Sequence, residues 1–551
     1  MDAVFSRKAA LKAMLLTAAG TAMPLRLFGQ ESDRSVAELS IDDLKAIEKV
    51  AEIEFTTEER KRLLADVKTS QKDFVALRQI DVEQKVAPAV RFEPLRAASV
   101  RNPKVEVKTT SPSRLGLGGM SDADIAFLSA RELGHLIRTK QISSQRLTAI
   151  YLERLQRYSP ELLFLVTLTP DLAMRQAKRA DDEIARGRYR GPLHGLPYGI
   201  KDLFAVRGYP TTYGAEPFER QVLDEDATVV RRLEEAGAVL LGKLSMGALA
   251  MDDHWFRGKT KNPWNPQEGS SGSSAGSASA TAAGCVAFSI GTETQGSIVS
   301  PSNRCRVSGL RPTFGRVSRY GAMELSYSMD KVGPICRTAE DCALVLAAII
   351  GSDSRDPTTV DQPFAFRPSR DLKGLKIGFE PGEEKMQGDP VVKILREAGA
   401  TVVPHKFTPA PRGVGVVLDV ECSSAFDDLV RSGRINEVKN SLWPQFMRAG
   451  RYVPAVEYLR AQRVRRVMAE QYERDFGDLD LVVDEGIAVG TIVTSNQAGT
   501  PQAIIPFGTD EKGASRSYSL LGRAYEEGVL LRVADYLQKR SDHHLKRPPL
   551  P

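Results

Sequence analysis

An α/β fold is predicted by three observations on this 551-residue sequence. Residues 226–246 (DATVVRRLEEAGAVLLGKLSM) read as a helix that feeds a Val-Leu strand. The alternation recurs between 338 and 403: a helix at 338–352, a strand near Leu375 to Glu380, a helix from Asp389 to Ala400 and a strand from Thr401 to Val403. Finally, Gly284 to Gly291 (GCVAFSIG) is a short apolar run bounded by glycines, the pattern of a buried strand. A composition of 42% hydrophobic and 26% charged residues is that of a globular protein, long enough for one large domain or several.

In chain order, residues 1–30 read as an export signal. MDAVFSRKAALK is a basic segment, followed by an apolar run, Ala13 to Leu25, too short to span a bilayer. Ser6 to Lys12 is similar to a twin-arginine export motif with lysine in the second arginine position; a plain N-terminal helix is the alternative. The expected location is outside the cytoplasm, periplasmic or extracellular, without stable membrane insertion once the signal is removed; without a working signal the protein stays cytoplasmic. Of the formal net charge of +6, these residues hold +3 (Arg7, Lys8, Lys12 and Arg26 against Asp2). The remainder is too small to indicate nucleic-acid binding.

Residues 31–95 read as a helical module. Ser40 caps a first helix, and Thr56 with Glu59 forms a capping box for a second, on which Leu63, Val67, Phe74 and Leu77 share a face. Residues 96–120 are polar, proline-dotted and aperiodic, a linker. The main domain, 121–547, starts with helices capped by Ser121 and Ser143. It continues through Gly191 to Phe204 (GPLHGLPYGIKDLF), a loop and a buried strand with a lysine at its end. After the α/β alternation comes a charged helical region, Val416 to Asp475. Strands near 479–484 and 501–507 and a last helix, Tyr525 to Lys539, close the chain. Five cysteines without a CxxC pair imply no disulfide framework, and six histidines lack ligand spacing, so no metal is expected.

Candidate chemistry concentrates in Glu268 to Gly315. Its Gly-Ser start resembles a linker, but a linker stays polar, and this run does not. Ser277 to Ala283 suits a short helix whose small side chains allow close backbone approach. In Gly291-Thr292-Glu293-Thr294-Gln295-Gly296-Ser297 a tight turn after a strand gathers backbone N–H groups into one concavity, a means of oxyanion stabilisation. Ser297 then stands as a nucleophile beside it and requires a base. A histidine triad is open but has no supporting motif. A buried lysine also serves, because desolvation penalises its charged form, and Lys201 fits.

These residues carry a resemblance to the amidase signature family over 121–547. Its lysine segment is matched by Gly199-Ile200-Lys201-Asp202, its bridging-serine segment by Gly272-Ser273-Ser274-Ala275-Gly276-Ser277, and its nucleophile segment by Gly291 to Ser297. The Gly-Ser-Ser unit occurs twice, and the family's spacing selects Ser273 over Ser270. The resemblance implies a central mixed, twisted sheet with helices on both faces, and a Lys201–Ser273–Ser297 relay without a cofactor, in which Ser273 follows a cis peptide bond. Backbone N–H groups of Thr294, Gln295, Gly296 and Ser297 would hold the oxyanion. The expected substrate is a small-molecule or peptide amide, and a homodimer is compatible. Residues 47–67 and 77–95 also resemble the small C subunit of tRNA-dependent amidotransferases.

Several positions depart from the family pattern. Glu293 replaces an aspartate and Gln295 a glycine. Val299 and Ser300 stand where many members carry an arginine, which argues against a free α-carboxylate substrate such as glutamine. The segment after Val483 reads as a shortened loop beside a more open cleft. The leading expectation is therefore an amidohydrolase of linear carboxamides. Alternatives are a glutaminase-type component of a tRNA-dependent amidotransferase and a non-catalytic scaffold on the same fold.

Overall fold

The structure is a computed structural model that describes residues 38–82, 86–90, 104–112, 115–510 and 513–550. The expected export signal, residues 1–30, lies outside the described residues.

Eleven strands form one sheet. In chain order they are β1 (Leu165–Leu168), β2 (Pro197–Lys201), β3 (Val239–Leu244), β4 (Phe288–Glu293), β5 (Ser308–Arg311), β6 (Lys331–Cys336), β7 (Lys376–Phe379), β8 (Thr401–Pro404), β9 (Leu481–Glu485), β10 (Gln502–Thr509) and β11 (Ser515–Leu521). Across the sheet the order is β8-β7-β9-β11-β10-β5-β6-β4-β2-β3-β1. The sheet is mixed, as expected. The β8-β7-β9 and β4-β2-β3 groups are parallel, and antiparallel pairings join them through β11, β10, β5 and β6. Strands β2, β3, β4, β5 and β6 are buried at every residue, which is why β2, β3 and β4 read as apolar runs rather than alternating ones.

Helices pack against this sheet, among them Pro170–Ala185 on β3, Ala275–Ala282 on β4 and Glu527–Gln538 on β10. Their starts follow local side-chain chemistry. Ser121, Ser143, Thr338 and Asp389 each accept a hydrogen bond from a first-turn N–H, satisfying donors that the helix itself cannot.

At the N-terminal end, helices Ile41–Val50 and Thr57–Gln79 begin with reciprocal capping boxes, at Ser40 with Asp43 and at Thr56 with Glu59. The pair lies on the helical region 416–476. Buried Glu48 accepts from Arg60 at 2.8 Å and from Tyr452 Oη at 2.7 Å, while Phe74 and Leu77 pack with Met329, Val416, Val417, Ala461 and Val464. The stretch 96–120 is less featureless than its composition implies. Val105–Val107 forms a parallel ladder with Phe364–Phe366, and Thr110 Oγ1 donates to Glu340 at 2.8 Å, tying it to the main domain.

All five cysteines are buried and free. No helix among the described residues is long and apolar enough to cross a membrane.

Candidate active site

The site lies where the parallel strands β2 and β4 run side by side. β2 ends on Lys201, which is 0% exposed. Beside it, a Cβ on Gly199 would sit 2.5 Å from Leu244 Cδ1, so a side chain here would push the Leu244 side chain aside. Lys201 Nζ donates to Ser273 Oγ at 2.8 Å and to Thr292 Oγ1 at 2.9 Å. Burial lowers its pKa to about 7, against the opposing pull of Asp330 and Glu293. Near neutral pH a large fraction is therefore the free amine that a general base requires.

Ser273 is buried and follows a cis Gly272–Ser273 peptide bond, as the resemblance implied. A Cβ on Gly272 would lie 1.8 Å from the Asp252 carbonyl oxygen, so the Gly-Ser loop and residues 247–253 interlock without room for a side chain. Ser270, the alternative bridging serine, turns instead to the carbonyl of Ser271 at 2.9 Å.

The helix Ala275–Ala282 then packs on β4 as its small residues predicted. Ser274 Oγ donates to Thr292 O at 3.0 Å and Ser277 Oγ to Ile290 O at 3.1 Å. A Cβ on Gly276 would fall 2.5 Å from Ser245 N. Small size and hydroxyl groups thus do separate work: one permits the approach, the other meets strand carbonyls that the approach buries.

After β4 the chain makes the turn that carries Ser297. Gly296 adopts a φ of +104°, a conformation side chains rarely permit. The backbone N–H groups of Thr294, Gln295, Gly296 and Ser297 donate to no acceptor among the described residues, while Ser274 N donates to Ser297 O at 3.1 Å and ties the two serine segments together. The structure thus brings Lys201, Ser273 and Thr292 into direct contact and sets half-buried Ser297 in the adjoining turn. A bond between the Ser273 and Ser297 hydroxyls is not among those the described residues form. No histidine hydrogen-bonds to either serine among the described residues. His254, for example, lies 3.4 Å from Asp253.

Residues outside the expected relay hold this turn. Glu293 Oε2 accepts from the N–H groups of Ile298 at 2.8 Å and Val299 at 2.9 Å, and Oε1 accepts from Arg311 at 2.9 Å and Asn496 at 2.8 Å. Burial pushes its pKa up, but Arg311, Val299 N–H and Asn496 together outweigh that, and the net shift is downward. The departure from aspartate thus has a structural account: one carboxylate spans the turn and reaches a buried guanidinium. Thr294 Oγ1 donates to Asp330 at 2.5 Å, and Asp330 is in turn held by the N–H groups of Leu325 and Ser326.

At the arginine position, Ser300 Oγ pairs with Ser271 Oγ at 2.8 Å. The segment after Val483, expected to be a shortened loop, leads from β9 into a helix. Residues Val489–Ala498 form a helix that supplies Asn496 to Glu293 and packs Ile492 with Val299 and Ile504, so this segment supports the turn that carries Ser297. The only available signal was a run of small, uncharged residues, which carries no clear period.

A neutral-prone buried lysine on a serine, beside a turn of unpaired N–H groups and a second serine, is the equipment of an amide hydrolase. The model of the Amidase family matches residues 146–484, more than half the chain, and the protein belongs to this family. It is 35% identical over 477 residues to the A subunit of glutamyl-tRNA(Gln) amidotransferase from Methylococcus capsulatus, covering 76% of this chain and 98% of that one. To the putative amidase AmiD of Mycobacterium bovis it is 34% identical, covering 77% and 97%. Among solved structures, native peptide amidase from Stenotrophomonas maltophilia superposes with a TM-score of 0.68 at 29% identity, over 76% of this chain and 98% of that one. The protein is thus a hydrolase acting on carbon–nitrogen bonds.

Proposed function

We propose that the protein hydrolyses linear carboxamides through an acyl-enzyme on Ser297, with Lys201 and Ser273 as its proton relay. The observation that carries this is the 2.8 Å bond from a wholly buried lysine to Ser273, with a lysine pKa of about 7. Neutral Lys201 takes the Ser273 proton as Ser273 takes that of Ser297. Ser297 Oγ then attacks the carbonyl carbon, and the oxyanion is stabilised by the turn's N–H groups. The relay returns a proton to the departing amine as the C–N bond breaks. Water, deprotonated by the same relay, cleaves the ester and regenerates Ser297.

Labelling by a fluorophosphonate probe tests the nucleophile. Wild type is expected to be modified at Ser297, and Ser297→Ala to lose both labelling and amide turnover. A Ser297→Ala variant with near-normal turnover overturns the assignment and returns the scaffold or another nucleophile to consideration.

A second reading, a glutaminase-type component of an amidotransferase, is favoured by the 35% identity to the A subunit of such an enzyme. It is opposed by Val299 and Ser300, which supply no cation for an α-carboxylate. Glutamine-dependent ammonia release at a rate matching simple amides would favour it. We also propose export directed by residues 1–30. Recovery of the full-length protein only in the cytoplasmic fraction of its native host overturns that.

A further inference from the structure

A cleft runs along the catalytic turn, bordered by Thr292 and Thr294 and by four charged residues, Arg319, Glu324, Asp330 and Lys331. Most of its remaining wall is apolar. Three of the four charges are already engaged within the protein. Arg319 donates to Tyr327 O at 2.8 Å and lies 3.5 Å from Asp356. Asp330 accepts from Thr294, Leu325 and Ser326. Lys331 is buried, approaches Thr294 O at 3.4 Å, and is driven by desolvation well below the ordinary lysine pKa.

Glu324 differs from all three. It is solvent-exposed and takes part in no hydrogen bond or ion pair among the described residues. The protein around it pushes its pKa up by desolvation, and Arg319 offsets this in part. Its carboxylate is therefore left free to pair with a cation that enters the cleft, whereas the other three groups already have protein partners. It faces the same cleft as Thr294, a residue of the proposed oxyanion turn.

We propose that Glu324 is a specificity-determining residue that selects amides whose acyl part carries an ammonium or guanidinium group, pairing with that cation while the carbonyl lies in the turn. This rests on the amidase reading above and deepens it by naming the substrate class. The apolar wall suits the carbon chain between the two groups. An acyl group bearing a carboxylate is repelled by the same residue, in keeping with the absence of arginine at Val299 and Ser300.

The test compares γ-aminobutyramide with pentanamide, and ε-aminocaproamide with heptanamide, by ammonia release from the full-length protein and from its Glu324→Gln and Glu324→Lys variants. In wild type, kcat/KM is expected to favour at least one amino member over its neutral match by about tenfold or more, the scale of one hydrogen bond to a charged group. In Glu324→Gln the ratio falls towards one, and in Glu324→Lys it inverts. A ratio unchanged in Glu324→Gln, or a wild type that prefers the neutral members, overturns the proposal. Hydrolysis without cationic preference overturns this inference alone, as does labelling of Ser297 by a fluorophosphonate with no turnover of either amino member. Absence of both turnover and labelling overturns the amidase reading itself.

Discussion

Lys201 and Lys243 occupy neighbouring parallel strands and are both 0% exposed, yet the protein uses them in opposite ways. Lys201 meets only hydroxyl and carbonyl oxygens. Lys243 lies 2.9 Å from the Asp202 carboxylate and also donates to Pro210 O at 2.8 Å and to Thr211 Oγ1 at 2.5 Å. Burial lowers the pKa of Lys243 too, but Asp202 and its hydrogen bond pull it back; burial likewise raises Asp202, and Lys243 and Thr212 oppose that. Equal burial thus yields a lysine with a pKa of about 7 where the partners are neutral and a structural ion pair where one is a carboxylate. The Asp202 carboxylate is taken up by Lys243 and Thr212, and among the described residues it makes no hydrogen bond or ion pair with Lys201.

The largest break in this comparison comes from Lys201→Ala, expected to lower kcat/KM by roughly 10²–10⁴-fold, the usual range for a general base. Steady-state hydrolysis of any accepted amide reads it out, and near-normal activity would contradict the role. Next, Lys243→Met is expected to cost about 3–5 kcal/mol of stability, because it leaves Asp202 buried without a countercharge. Urea unfolding measures this. Turnover per folded molecule should stay within a few-fold, and pairing the change with Asp202→Asn should recover much of the loss.

A finer probe is pH. If neutral Lys201 is the base, kcat/KM rises about tenfold per pH unit below the lysine pKa of about 7 and levels off above it. A flat profile between pH 6 and 8 would remove Lys201 from the relay. Thr292→Val should move that inflection down by up to about one pH unit, since it deletes one acceptor that favours the charged ammonium, a bond worth about 0.5–1.5 kcal/mol.

The smallest effect concerns stability. The pKa of Lys201 falls on folding, so between about 7 and the ordinary lysine value the unfolded chain binds more protons, and stability rises with pH through that window. Lys201→Met removes this dependence. Its stability relative to wild type should therefore be greater at pH 6 than at pH 10, with the gap closing as pH rises. Denaturation at the two pH values decides it, and a gap that widens with pH would show that Lys201 is not held near neutrality.

Legibility in the sequence followed the locality of each signal. Strands β2, β3 and β4 stood out because both faces are buried, leaving near-continuous apolar or small residues. By contrast β6 (KVGPIC) carries a lysine and a proline, and β11 (SRSYSLL) is polar in its first half; neither was legible as a strand. The helix Val489–Ala498 was missed for a related reason: it is short, uncharged and lacks a side-chain cap at its start. At the site, the three motifs located Lys201, Ser273 and Ser297. Thr292 lay unremarked within one of them, and Arg311, Asn496 and Asp330, from three other parts of the chain, carried no motif at all.

The sequence by itself determined the chemistry available, because a hydroxyl, an amine and a glycine-permitted turn are properties of residue types and short spacings. Only the tertiary structure decided which amine is poised near neutrality. The pKa of a lysine depends on the water it loses and the charges that surround it, and both are set by strands and helices remote in sequence. The same holds for Glu293, in the chain only a departure from aspartate, which becomes the clamp of the Ser297 turn once Arg311 and Asn496 reach it. It holds equally for Glu324, whose carboxylate acquires meaning only from the cleft it faces.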